Sequence, residues 1–220
     1  MTITIKFNDN IEHKYDSFEE ILKIDNYNDI IDINCHRNNL LYLPKLPNLL
    51  THLTCGYNNL SSLPELPNTL TKLMCYDNNL SILPELPNSL NKLYCNSNNL
   101  HNLPELPNSL QYLYCWNNKL SSLPELPNSL ITLSCSYNKL SSLPKIPNSA
   151  YIFNYDNNPI HFHIKKYFYN NTKKYFDHQR QMRRIFVNKI GNWYLDCKYN
   201  PKYLYCRNRL MKEYKELYGK

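Results

Sequence analysis

Apolar residues recur along most of this chain at a fixed interval of 20 residues. Each unit reads L-x-x-L-x-C-x-x-N-x-L-x-x-L-P-x-L-P-N-x, in frames that begin at Ile30, Leu50, Leu70, Leu90, Leu110 and Leu130. A seventh pass keeps Phe153, Asn158 and Ile160, but it has Ala150 and Tyr155 where Leu and Cys stood and lacks the double-proline segment. Within a unit, Leu-x-Cys alternates as a short strand does, which points both residues inward; repetition predicts strands stacked into one parallel sheet. Prolines three apart match the three-residue turn of polyproline II, and the residue before each proline is driven out of helical space. The outer wall is therefore predicted to be extended and free of α-helix. The Asn three residues after each cysteine (Asn38, Asn58, Asn78, Asn98, Asn118, Asn138, Asn158) recurs too regularly for a site. A buried amide at every turn must bond backbone groups, so these residues are expected to be structural.

A stacked array exposes apolar surface at both ends and needs caps. Residues 1–29 are predicted to form the first, with a strand from Thr2 to Phe7 and a capping box, Ser17-x-x-Glu20, opening a helix through Ile21, Leu22 and Ile24. This cap should cover Ile30 and Ile33. The repeats occupy 30–160, and 161–220 is a basic region with helical patterning. Its last helix has Asn200 as N-cap, Pro201 at the first helical position and Gly219 after the end. The apolar spacing of Phe176, Met182, Ile185, Phe186, Ile190 and Trp193 suggests a second helix, and Ile164, Tyr167 and Phe168 a third.

Composition adds three constraints. Six of the eight cysteines (Cys35, Cys55, Cys75, Cys95, Cys115, Cys135) belong to the repeat, so they are expected to be buried thiols acting as small hydrophobes, with no disulfide framework. No histidine joins that column, and zinc sites favour clustered pairs. The net charge of +7 conceals a division: residues 1–159 carry 10 Lys+Arg against 14 Asp+Glu, a net of −4, and residues 160–220 carry 15 against 4, a net of +11. No apolar run reaches the length of a membrane span or a signal peptide, so an intracellular, soluble protein is expected.

The segments Leu83 to Leu90 and Leu103 to Leu110, Leu-Pro-Glu-Leu-Pro-Asn-Ser-Leu, each followed by L-x-x-L-x-C-x-x-N-x-L, resemble the short leucine-rich repeats of bacterial type III secreted effectors of the YopM and IpaH kind. The resemblance covers roughly 30–160. It implies a leucine-rich-repeat solenoid with a parallel β-sheet on the concave face and a polyproline-like, extended convex side, to which the patterning of 161–220 adds an α-helical C-terminal cap. Those effectors more often carry Val or Leu where this chain has Cys. IpaH-type effectors also carry a ubiquitin-ligase domain with a Cys-x-Asp nucleophile motif; Cys75-Tyr76-Asp77 has those letters, but its cysteine is a rung facing the core. The Asn- and Tyr-rich, Gly-poor composition looks like that of proteins from AT-rich giant DNA viruses.

Functional chemistry has two candidate places. On the concave face, Lys72, Met74, Tyr76, Lys92, Tyr94, Tyr112, Tyr114 and Trp116 form an aromatic and basic patch suited to anchoring a protein partner. In the C-terminal region, Lys165, Lys166, Lys173, Lys174, Arg180, Arg183, Arg184 and Lys189 interleave with Tyr and Phe, a mix suited to nucleic acid or an acidic membrane. A solvated surface accounts equally for that second set, and for the convex row Glu65, Glu85, Glu105 and Glu125. His161-x-His163 with Cys197 and Cys206 has no known zinc spacing, and the three glycines, Gly56, Gly191 and Gly219, make no phosphate loop. A non-enzymatic protein-interaction module without metal, cofactor or small-molecule substrate is the expectation.

Overall fold

The computed structural model of the chain describes residues 2–9, 11–150 and 152–161. The helices expected after residue 161, the eight basic candidates from Lys165 to Lys189, and His163, Cys197 and Cys206 lie outside the described residues. Among those described, nine strands form one sheet in the order β2-β1-β3-β4-β5-β6-β7-β8-β9. An N-terminal hairpin, β1 (Ile3–Lys6) and β2 (Glu12–Tyr15), precedes α1 (Phe18–Ile21) and a 3-10 turn (Tyr27–Asp29). The repeats supply β3 (Asp32–Asn34), β4 (His52–Thr54), β5 (Lys72–Met74), β6 (Lys92–Tyr94), β7 (Tyr112–Tyr114), β8 (Thr132–Ser134) and β9 (Ile152–Asn154). From β3 onward all pairings are parallel and in register at the repeat length, Ile33 beside Leu53, then Leu73, Leu93, Leu113, Leu133 and Phe153.

Each strand from β4 to β8 is centred on its inward Leu and ends one residue before the Cys, and β3 and β9 are centred on Ile33 and Phe153 in the same way. The cysteine N–H still joins the ladder; that of Cys55 donates to the Met74 carbonyl at 2.8 Å and that of Cys95 to the Tyr114 carbonyl at 2.9 Å. The six cysteines are completely buried, as are the leucines that open and centre each rung from Leu50 to Leu133. The Leu-Pro-x-Leu-Pro wall contains no helix. It closes each coil with a turn in which the leucine N–H donates to the proline carbonyl three residues back, as Leu90 does to Pro87 at 3.0 Å.

The conserved geometry of the coil rests on two side-chain ladders. The Asn98 amide donates to the carbonyls of Cys75 (3.0 Å) and Cys95 (3.2 Å), while its Oδ1 accepts the Leu80 N–H at 3.0 Å. Asn58, Asn78, Asn118, Asn138 and Asn158 repeat this pattern, each tying two successive rungs together. The second ladder escaped sequence reading. Thr69, Ser89, Ser109, Ser129 and Ser149 close their units and donate their hydroxyls to the carbonyl of the leucine that opened the same unit, one coil back, at 2.6 to 2.8 Å. The residue before each ladder Asn sits in left-handed space, from Arg37 (φ 57°) through Tyr57, Asp77, Ser97, Asn117 and Tyr137 to Asn157 (φ 55°). That conformation swings the chain out of the strand so that the amide faces the core, at a conformational cost for every side chain but Asn and Asp.

Asn38 opens the ladder and has no preceding rung. Its partner is the N-terminal hairpin: its amide donates to the Thr2 carbonyl and its Oδ1 accepts the Thr2 N–H, both at 2.9 Å. β1 lies antiparallel to β3, with Ile5 opposite Ile33, and Ile3, Ile5, Phe18 and Ile21 close the end of the core. Two features of this end differ from expectation. β2 is a second strand; its polar sequence, Glu-His-Lys-Tyr, gives no hydrophobic signal, and it forms because β1 needs a partner on its outer side. A charged, short edge of this kind also resists pairing with other chains. The helix is shorter than the predicted run through Ile24. Ser17 Oγ does accept the Glu20 N–H (3.3 Å), but after Ile21 the bonds tighten to the three-residue spacing, Lys23 to Glu20 and Ile24 to Ile21, and leave Leu22 exposed. No described helix is long and apolar enough to cross a membrane.

Candidate functional site

The open face of the sheet is built from the outward residues on either side of each central Leu, and period-two alternation puts Lys72, Met74 and Tyr76 on it together. All eight residues of the predicted patch are half-buried. Register places Lys72 beside Lys92 beside Tyr112, and Met74 beside Tyr94 beside Tyr114. The Tyr94 and Tyr114 rings stack at 4.7 Å between centroids with 5° between planes. The Lys92 ammonium lies 5.2 Å from the centre of the Tyr112 ring. Such contacts contribute about 0.5–1.5 kcal/mol each beyond the area they bury, which holds these side chains in place. Burial, reinforced by the neighbouring Tyr114 and Tyr112, raises the Tyr94 phenol pKa, so its hydroxyl remains protonated at neutral pH.

Tyr76 makes its ring contacts in a second cluster on the same face. In the column that follows the cysteines, side-chain size alternates along Gly56, Tyr76, Asn96, Trp116 and Ser136. The Tyr76 ring leans across Gly56 so closely that a Cβ there would meet its Cζ at 2.8 Å. It thereby reaches His36 and Tyr57, with centroids 6.0 Å and 5.5 Å away, while His36 and Tyr57 meet edge-on at 5.1 Å. The Arg37 guanidinium caps Tyr57 at 4.7 Å. Partial burial first, and the Arg37 charge second, lower the His36 pKa, so the imidazole is neutral at neutral pH. Sequence reading missed His36, Arg37 and Tyr57; the glycine between two large residues in one column was the available signal. Trp116 shares the Tyr76 column but is separated from it by Asn96, which is buried.

The cysteines offer no nucleophile to this face. Burial pushes Cys35, Cys75 and Cys135 up to about 12, and Cys55, Cys95 and Cys115 well above the usual thiol range. Cys75, the cysteine of the Cys-Tyr-Asp triplet, is thus a protonated core residue. Among the described residues no group of three or more His, Cys, Asp or Glu is arranged to hold a metal ion. Glu65, Glu85, Glu105 and Glu125 are exposed on the proline-rich wall, opposite the open face.

No family model matches this chain, and no curated protein matches it. Among solved structures, the leucine-rich-repeat domain of a Shigella effector is similar over 64% of this chain and 62% of its own length, at 41% identity and a TM-score of 0.57. This chain folds as a leucine-rich-repeat solenoid. YopM from Yersinia enterocolitica WA-314 matches at 30% identity over 60% of this chain and 38% of that one, with a TM-score of 0.47. YopM from Yersinia pestis, described as a leucine-rich effector protein, matches at 34% identity over 56% and 42%, with a TM-score of 0.48. This leucine-rich-repeat chain spans less than two thirds of each of these neighbours.

Proposed function

We propose that this solenoid is a non-enzymatic protein-interaction module that holds its partner on the open, concave face through Lys72, Met74, Lys92, Tyr94, Tyr112, Tyr114 and Trp116. The observation that carries this reading is the stacked pair Tyr94 and Tyr114 beside Lys92 and Tyr112, a block of half-exposed aromatic surface already fixed in position. Ordered aromatic side chains lose little entropy on binding, and Tyr and Trp dominate interface energetics. The scaffold behind them is rigid, because each strand is pinned by the Asn and Ser/Thr ladders, and a rigid first contact surface is what preorganised recognition needs. The solenoid of the Shigella effector domain supports the same class of function by likeness of fold.

The test compares three forms of the full chain as baits in lysate with and without nuclease treatment: the unaltered chain, Tyr114→Ala with Trp116→Ala, and Arg180→Glu with Arg183→Glu and Arg184→Glu. A protein retained by the first and third forms and lost from the second supports the concave face. Loss with the arginine replacements alone, or with nuclease treatment, moves the function to the basic region at 160–220 and to nucleic acid or acidic surfaces.

A further inference from the structure

Lys72 and Lys92 are cross-strand neighbours in register on β5 and β6, so their backbones run ~4.8 Å apart with side chains on the same face. Like charges placed directly opposite in a sheet repel. Among the described residues the carboxylate ion pairs are Lys6 with Glu12 and His161 with Asp156, so neither lysine of this pair has an acid within ion-pair reach. The acid of their own column, Asp32, stands two strands from Lys72, with His52 on the strand between. Two residues further along the strands, a step of ~6.6 Å on extended backbone, the lysine column gives way to Met74, Tyr94 and Tyr114. Positive charge and flat aromatic surface are therefore offset by the distance between alternate side chains of an extended peptide.

We infer that the occupant of this face is an extended, acidic segment of a partner protein, with an Asp or Glu side chain on Lys72 and Lys92 and an aromatic, proline or aliphatic side chain two residues away on the Tyr94 and Tyr114 rings. This rests on the concave-face reading above and gives its ligand a chemistry. A peptide lying along the strands supplies the negative charge that no described residue gives the lysine pair and brings its next same-side residue over the stack. Nucleic acid fits less well. Its charge recurs at every nucleotide, whereas the cationic site here is a single pair flanked by Met74, Tyr94 and Tyr114.

Random peptides displayed on phage are selected on the immobilised full chain and, in parallel, on Lys72→Glu with Lys92→Glu and on Tyr114→Ala with Trp116→Ala, each confirmed as folded by its circular dichroism. The expected result is enrichment of peptides with Asp or Glu two residues from an aromatic, proline or aliphatic residue. Synthetic copies should weaken about two- to fivefold per lysine neutralised to Gln, the range for an exposed charge pair, and the double Glu form should select Lys or Arg in the acidic place. Enrichment of neutral or basic peptides, or indifference to the lysine replacements, overturns the acidic assignment; if those peptides are still lost with Tyr114 and Trp116, the concave face stands as the binding surface. Indifference to both pairs of replacements, or no enrichment, overturns both readings. Tight binding of an oligo-dT probe that disappears with Lys72→Glu and Lys92→Glu would assign the face to nucleic acid instead.

Discussion

Raising the pH should unfold the repeats from the inside, because six thiols sit in the core in their protonated form. An unfolded cysteine ionises near pH 8.5, whereas burial holds Cys75 in the folded solenoid up to about 12. Above about pH 8.5 the folded state consequently binds more protons than the unfolded chain, and stability falls with rising pH until the folded-state value is reached. Each thiol removes roughly half a kcal/mol at about pH 8.5 and one to two kcal/mol at about pH 9.5. For the column of six that amounts to a few and then about 8 kcal/mol, set against total stabilities of about 5–15 kcal/mol for ordinary domains. Urea unfolding under reducing conditions at intervals between about pH 7.5 and 9.5 measures this directly. Its slope against pH should correspond to about five protons released on unfolding at the upper end, and Cys95→Val should lower that number by one. Stability that stays level across this range, or rapid alkylation of the six thiols without denaturant, would refute the buried-ladder reasoning.

Asn98→Ala should cost about 2–3 kcal/mol in urea unfolding, since it removes four bonds and strands the Leu80 N–H in the core, while the carbonyls of Cys75, Cys95 and Asn96 keep Asn78, Asn118 and the Asp77 N–H as donors. Asn38→Ala, whose Thr2 bonds are at the exposed end, should cost only about 1 kcal/mol; equal losses at the two positions would contradict the ladder account. Gly56→Ala should destabilise by about 1–3 kcal/mol through collision with the Tyr76 ring. Tyr76→Ala in the same chain should recover most of that loss, and strictly additive effects in the double-mutant cycle would show that the ring does not lie there. Tyr137 is exposed and held at φ 53°, so Tyr137→Asn should raise stability by about 0.5–1 kcal/mol, measured by the urea midpoint; a loss would argue that its ring makes contacts worth keeping.

Much of this molecule follows from spacing alone. A 20-residue period with Leu and Cys two apart fixes which side chains enter the core, and paired prolines forbid a helix on the far wall. A polar Asn once per turn has to bond the backbone of its own and the neighbouring coil, as Asn58 to Asn158 do. These are consequences of strict repetition, in which each residue's environment is made by copies of itself. Repetition also made the columns of the open face legible, so Lys72, Lys92, Tyr94 and Tyr114 could be grouped before any coordinates.

The contacts within those columns were decided by the tertiary structure. Sequence gives Tyr76 and Tyr94 the same rank as outward aromatics. Yet Tyr76 folds back over Gly56 toward His36, while Tyr94 stacks on Tyr114. The choice depends on the size of the side chain one rung away, so a glycine 20 residues earlier releases one ring and a tyrosine 20 residues later captures the other. The polar strand β2 and the Thr2 partner of Asn38 were likewise invisible, because both exist to satisfy backbone groups that become unpaired only where the repetition begins. Period and polarity thus determined the scaffold, and neighbour size and chain ends determined which surface it presents.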